Sequence, residues 1–105
     1  MVEVVNIKNC KDFGKLEGDI YIGRKFGKFP ASKWGNPFGM RSESYRDEVC
    51  SRYNQWLEGE LQAGRLNIDE LLPAKRLGCW CKPLKCHGDQ LKMLIERRLK
   101  EMEKI

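Results

Sequence analysis

Apolar residues fall into two kinds of run along this chain. Short β-branched or alternating runs occur at residues 2–6 (VEVVN), 19–23 (DIYIG) and 76–81 (RLGCWC). Runs of this length and composition predict strands. Alternation in the third puts Leu77, Cys79 and Cys81 on one face and Trp80 on the other. The second kind of run repeats at spacings of three and four. Tyr45, Val49, Tyr53, Trp56, Leu57 and Leu61 form one apolar stripe, predicting a helix over 44–62. Leu91, Leu94, Ile95 and Leu99, with Met102 just beyond, predict a second over 88–101. Ser42 or Ser44 is placed to cap the first helix, Asp47 and Glu48 suit its dipole, and Gly64 ends it. NIDELL, residues 67–72, reads as a short helix before Pro73.

Strands followed by helices in 105 residues predict one domain, 1–105, with one core. The expected class is α/β: a short, largely parallel sheet flanked by helices, layered in the Rossmann-like manner. Residues 24–42 contain Gly27, Pro30, Gly35, Pro37 and Gly39 and read as one long irregular loop, a length usual for functional segments. Residues 101–105 read as a frayed tail.

Composition narrows the classes. No apolar run approaches the roughly 20 residues of a membrane span. The start, MVEVVNIKNC, lacks the charged-then-apolar pattern of an export signal, so a cytoplasmic location is expected. Five cysteines, an odd number without an export signal, argue against a disulfide framework. The net charge is +5, and residues 7–41 account for all of it with eight Lys or Arg against three acids. Such a segment suits an anionic partner, a nucleotide-like small molecule or nucleic acid. It is also what a solvated lysine-rich loop looks like.

The candidate chemistry concentrates in CWCKPLKCHGD, residues 79–89. A strand, a turn and a helix start meet there, and helix N-termini at the carboxyl ends of strands attract anions. Cys86 combines a helix start with a neighbouring His87 and nearby Lys82 and Lys85, each of which favours a thiolate. A buried packing cysteine is the plainer reading. His87, the one histidine, can serve as general base or hold a phosphate oxygen; Asp89 can assist, or simply answer the helix dipole. Gly88 leaves backbone N–H groups open to a ligand. No cofactor is required by this reading. The alternative is zinc, with Cys79, Cys81, Cys86 and His87 as four soft ligands in an unusual C-x-C-x4-C-H spacing. In KWGNPFG, residues 33–39, Gly35 permits close backbone approach, Asn36 precedes a proline, and Trp34 and Phe38 can stack on a ring or anchor the loop. Arg24, ending YIGR, would reach the same sheet edge as Cys81 if the two strands are parallel, and could clamp a phosphate or carboxylate.

YIGR, WGNPF, YRDEV with Y-x-x-W-L, and LGCWCKPLKCHGDQL together resemble domain-of-unknown-function family 4326, small domains spread through prokaryotes and phages. The resemblance spans about residues 2 to 95. It implies that WGNPF and CHGD act together, with Trp34, Asn36, Cys81, Cys86, His87 and Asp89 at the motif positions. One departure is Lys75-Arg76 before LGCWC, where a Gly-Lys pair is more typical. Three functions follow as expectations: an enzyme-like domain acting on a nucleotide, nucleoside or nucleic-acid-derived ligand; a small module with structural cysteines, with or without zinc; or a nucleic-acid-binding accessory protein.

Overall fold

The computed structural model describes residues 2–38, 43–80 and 86–103. Three strands, β1 (Glu3–Asn6), β2 (Asp19–Tyr21) and β3 (Arg76–Cys79), lie in the order β1-β3-β2, with β3 parallel to both neighbours. The strand that comes last in the chain is central because it is the most apolar: Leu77, Gly78 and Cys79 are all buried, whereas the outer strands are half-buried. Parallel strands need long crossovers. The one from β2 to β3 carries α1 (Arg46–Gln62), and α2 (His87–Glu103) follows β3. The expected α/β class with a parallel sheet is therefore observed.

Register aligns Val4, Leu77 and Ile20 across the sheet. That face, with Cys79, meets Tyr53 and Leu57 of α1 and Leu91 and Ile95 of α2 in one core. The other face is covered by aromatic side chains. Gly78 aligns with Val5 and Tyr21, and a Cβ there would come within 2.4 Å of the Phe13 ring. Phe29 packs on Phe13 and stacks on Tyr21.

Several boundaries differ from expectation. The second strand ends at Tyr21, although the Ile22 amide still donates to the Gly78 carbonyl at 3.0 Å. The third ends at Cys79, and Cys81 lies outside the described residues. No serine caps α1. A 3-10 turn, Glu43–Tyr45, winds directly into it, Tyr45 holds the cap position without a side-chain cap bond, and Ser42 lies outside the described residues. NIDELL does form a short 3-10 helix, Ile68–Leu71. Leu99 and Met102 are exposed, since the core contact of α2 ends near Ile95. Part of the long loop is regular: Phe26 and Phe29 pair as a small antiparallel hairpin. No helix among the described residues is long and apolar enough to cross a membrane.

One ion pair fastens the amino edge of the sheet. Asp19 and Arg76 are register partners. The guanidinium grips the carboxylate in two-pronged fashion, Nε to Oδ1 and Nη2 to Oδ2, each at 2.7 Å. The Gly14 and Leu16 amides also donate to Oδ2. The Asp19 side chain is only 1 % exposed. The Arg76 hydrogen bonds, helped by those amides against the cost of burial, bring its pKa from 3.8 down to about 2. A lowered carboxylate pKa contributes stability that is present above the unfolded value and lost as pH falls through the folded one. Urea unfolding should therefore show stability decreasing as pH drops from 3.8 towards 2. Asp19→Asn should cost about 1.5–3 kcal/mol at neutral pH, the scale of a hydrogen bond to a charged group, because Arg76 is left with the exposed Asp12 carboxylate alone, and should flatten that acid limb.

Candidate active site

Parallel strands bring their carboxyl ends to one edge, where open α/β sheets place their ligands. The first turn of α2 sits directly on that edge. A Cβ at Gly88 would lie 2.9 Å from both Ile22 Cδ1 and Val4 Cγ1, so glycine allows this close seating.

Cys86 precedes α2 and caps it. Its sulfur accepts from the Gly88 amide at 3.4 Å. Its own amide donates to Asp89 Oδ2 at 3.2 Å, and the Asp89 amide donates to the Cys86 carbonyl at 3.0 Å. The arrangement is a reciprocal capping box with cysteine in the place of serine. Asp89 thereby holds the backbone beneath the thiol, the structural role its first-turn position suggests.

His87 is 8 % exposed, and its Nε2 lies 2.7 Å from the Ile22 carbonyl. A carbonyl can only accept, so Nε2 carries the proton. The neutral ring then presents a bare Nδ1, which lies 3.6 Å from Cys86 Sγ. A thiol, an imidazole nitrogen and an orienting carbonyl stand in sequence, an order also found where nucleophiles are activated. Tyr53 meets the imidazole edge-on at 4.9 Å between ring centroids, and its hydroxyl donates to the Trp34 carbonyl at 2.7 Å. Burial, with a smaller contribution from Cys86, pushes the Tyr53 phenol well above its ordinary range and keeps it a donor.

The WGNPF segment arrives from the other side. Asn36 Oδ1 accepts from the Phe38 amide at 2.9 Å, a local turn that shapes the loop. Arg24 fastens it: Nη2 donates to the Phe38 carbonyl at 2.8 Å and Nε to that of Asn36 at 3.4 Å. Between these groups opens a pocket of about 280 Å³. Gly23, Arg24, Asn36 and Phe38 form one wall, and Cys79, Trp80, Cys86 and His87 form another. Arg46, Val49 and Cys50 of α1 complete it.

Six residues singled out from the sequence thus share one pocket: Arg24, Asn36, Phe38, Cys79, Cys86 and His87. Trp34, Gly35, Gly88 and Asp89 do not line it. Trp34 is a correction: it is 3 % exposed and packed in the core, so its ring is not available to stack on a ligand. Cys81, Lys82 and Lys85 lie outside the described residues. Of the four suggested zinc ligands, Cys79, Cys86 and His87 share the wall, but among the described residues no group of three forms a metal site. Arg46 and Trp80 went unrecognised as pocket residues. Trp80 carried a signal, since strand alternation turns it away from the helical core. Arg46 carried none beyond its place at a helix start. Cys10 sits at the opposite, amino edge of the sheet against Arg76 and Asp12. Burial and its bond to Asp12 push that thiol up.

Comparison with known proteins agrees over nearly the whole chain. A family model described as "Domain of unknown function (DUF4326)" matches residues 5–97. An uncharacterized protein of Acanthamoeba polyphaga mimivirus, R718, is 31 % identical over 109 residues, covering 90 % of this chain and 82 % of its own. An uncharacterized 12.4 kDa protein from the nrdA-td intergenic region of Enterobacteria phage T4 is 29 % identical over 94 residues, covering 88 % and 82 %. No solved structure matches significantly.

The Tyr53 hydroxyl is the link between His87 and the WGNPF loop. Tyr53→Phe should leave the Trp34 carbonyl without this buried donor and cost about 1–3 kcal/mol in urea unfolding. Hydrogen exchange should quicken at the amides of residues 34–38 more than in α2.

Proposed function

The chain belongs to the domain-of-unknown-function family DUF4326, and from that premise we propose that its pocket binds and processes an anionic ligand of the nucleotide, nucleoside or nucleic-acid-derived class, with Cys86 as nucleophile and His87 as its base. The observation that carries this reading is the Cys86 Sγ–His87 Nδ1 approach, set by the Nε2 bond to Ile22, on the wall of a pocket that also holds Arg24 and Arg46. A thiol passes its proton to a bare imidazole nitrogen, and the Gly88 amide and the helix dipole favour the negative sulfur that results. In the reaction class this supports, the sulfur lone pair forms a bond to an electron-poor carbon of the ligand. The electron pair displaced there moves to a neighbouring ligand atom, which takes the proton back from His87. The two arginines supply charge for a phosphate or carboxylate. Asp89 acts as a positioning residue through the Cys86 amide.

Limiting alkylation of the folded protein across pH 5 to 9, with each cysteine quantified by peptide mass, tests this. Cys86 should react first, ahead of Cys10, with a midpoint below the free-thiol value of about 8.5. His87→Gln should raise that midpoint, and a nucleoside monophosphate should slow labelling. If Cys86 stays unlabelled and one zinc per chain is found, the cysteines are structural ligands. If it stays unlabelled without metal, Cys86 is a packing residue.

A further inference from the structure

The pocket as described holds charge, a thiol and the Phe38 ring, while the Trp34 ring is in the core. Two further aromatic residues meet beside it. Trp80 lines the pocket and is 38 % exposed; Phe26 beside it is 61 % exposed, more than any other aromatic among the described residues. Their centroids are 4.7 Å apart and the rings are inclined at 52°, so they form an angled corner and are not stacked on one another.

Both rings are held in place by bonds that leave them exposed. The Trp80 indole N–H donates to the Tyr21 hydroxyl at 2.9 Å, and that hydroxyl donates to the Arg24 carbonyl. Phe26 stands on a two-residue hairpin closed by reciprocal bonds to Phe29 at 2.9 Å. Gly27 has φ +55° and no non-glycine residue among the described residues has positive φ, which makes this a type II′ turn. Phe29 already anchors the hairpin by stacking on Tyr21 at 4.9 Å. Exposing Phe26 is therefore not a requirement of the fold. The surrounding segment is basic: residues 24–33 carry Arg24, Lys25, Lys28 and Lys33 and no acid.

We infer that the Phe26–Trp80 corner is a stacking platform for a nucleobase, and hence that the ligand is a base-bearing phosphate compound and not a bare sugar phosphate or simple carboxylate. This rests on the reading of the pocket as an anionic-ligand site and adds the group that reads the ring. Aromatic side chains stack on any base face, and neighbouring cations hold the phosphate. The same chemistry serves a free nucleotide and a single-stranded nucleic acid.

The test compares dissociation constants by calorimetry for ribose 5-phosphate, the four common ribonucleoside 5′-monophosphates and a single-stranded dodecanucleotide. At least one monophosphate should bind about tenfold more tightly than ribose 5-phosphate, the scale of one base–aromatic contact. Phe26→Ala should bring that ratio towards one, and Phe26→Trp should preserve it. A dodecanucleotide that binds more tightly than every monophosphate identifies a strand as the source; equal or weaker binding identifies the free nucleotide. Equal affinities for ribose 5-phosphate and all four monophosphates overturn the platform but leave the anion site standing. A ratio that survives in Phe26→Ala likewise overturns it. If nothing binds, the reading of the pocket falls with it.

Discussion

A hydrogen bond from the His87 imidazole to the Ile22 carbonyl ties the last helix to the end of the second strand. Strand β2 finishes its ladder at Tyr21, and Ile22 spends its amide on Gly78. Its carbonyl, buried at the sheet edge, is met by Nε2 at 2.7 Å. Burial makes that bond costly to lose, because an unsatisfied buried acceptor keeps its full desolvation penalty. Much else follows from it. The ring orientation fixes which nitrogen faces Cys86. The position of the ring sets the first turn of α2 against Val4 and Ile22, where Gly88 leaves room. Tyr53, edge-on to the same ring, carries the constraint to the WGNPF loop.

The two edges of the sheet do different work. At the amino edge, Asp19 and Arg76 close a two-pronged pair that joins β2 to β3 and gathers the β1–β2 connection through Asp12 and Cys10. At the carboxyl edge, charge is set around a pocket. The contrast between two cysteines shows the difference. Cys10 donates to a carboxylate and its thiol is pushed up, which favours the neutral form. Cys86 accepts from a helix-start amide and lies beside an imidazole nitrogen, with no carboxylate bound to its sulfur in the contacts described.

The elements were legible because their periodicities are strong. The stripe of α1 through Tyr53 and Leu57, and that of α2 through Leu91 and Ile95, point to the buried faces observed. The meeting of Asn36 and Phe38 with Cys86 and His87 was suggested by two motifs that packing periodicity does not explain. The remainder depends on distances in space that no local pattern encodes. Strand order decides that Asp19 faces Arg76 across 57 positions. Trp34 looked available in a glycine- and proline-rich loop, but Tyr53 binds its carbonyl and the core takes its ring. Phe26 looked like one more residue of an irregular loop until a tight hairpin set it against Trp80.

The central claim is that Ile22 fixes the His87 tautomer so that Nδ1 shares a proton with Cys86. With a single histidine in the chain, nitrogen-15 NMR of the imidazole reads this directly. The account predicts that in Cys86→Ala the neutral ring carries its proton on Nε2. It also predicts that the wild-type ring stays doubly protonated to a higher pH than in Cys86→Ala, because a thiolate beside it favours the cation. A neutral ring protonated on Nδ1, or identical titrations with and without the Cys86 sulfur, would contradict it.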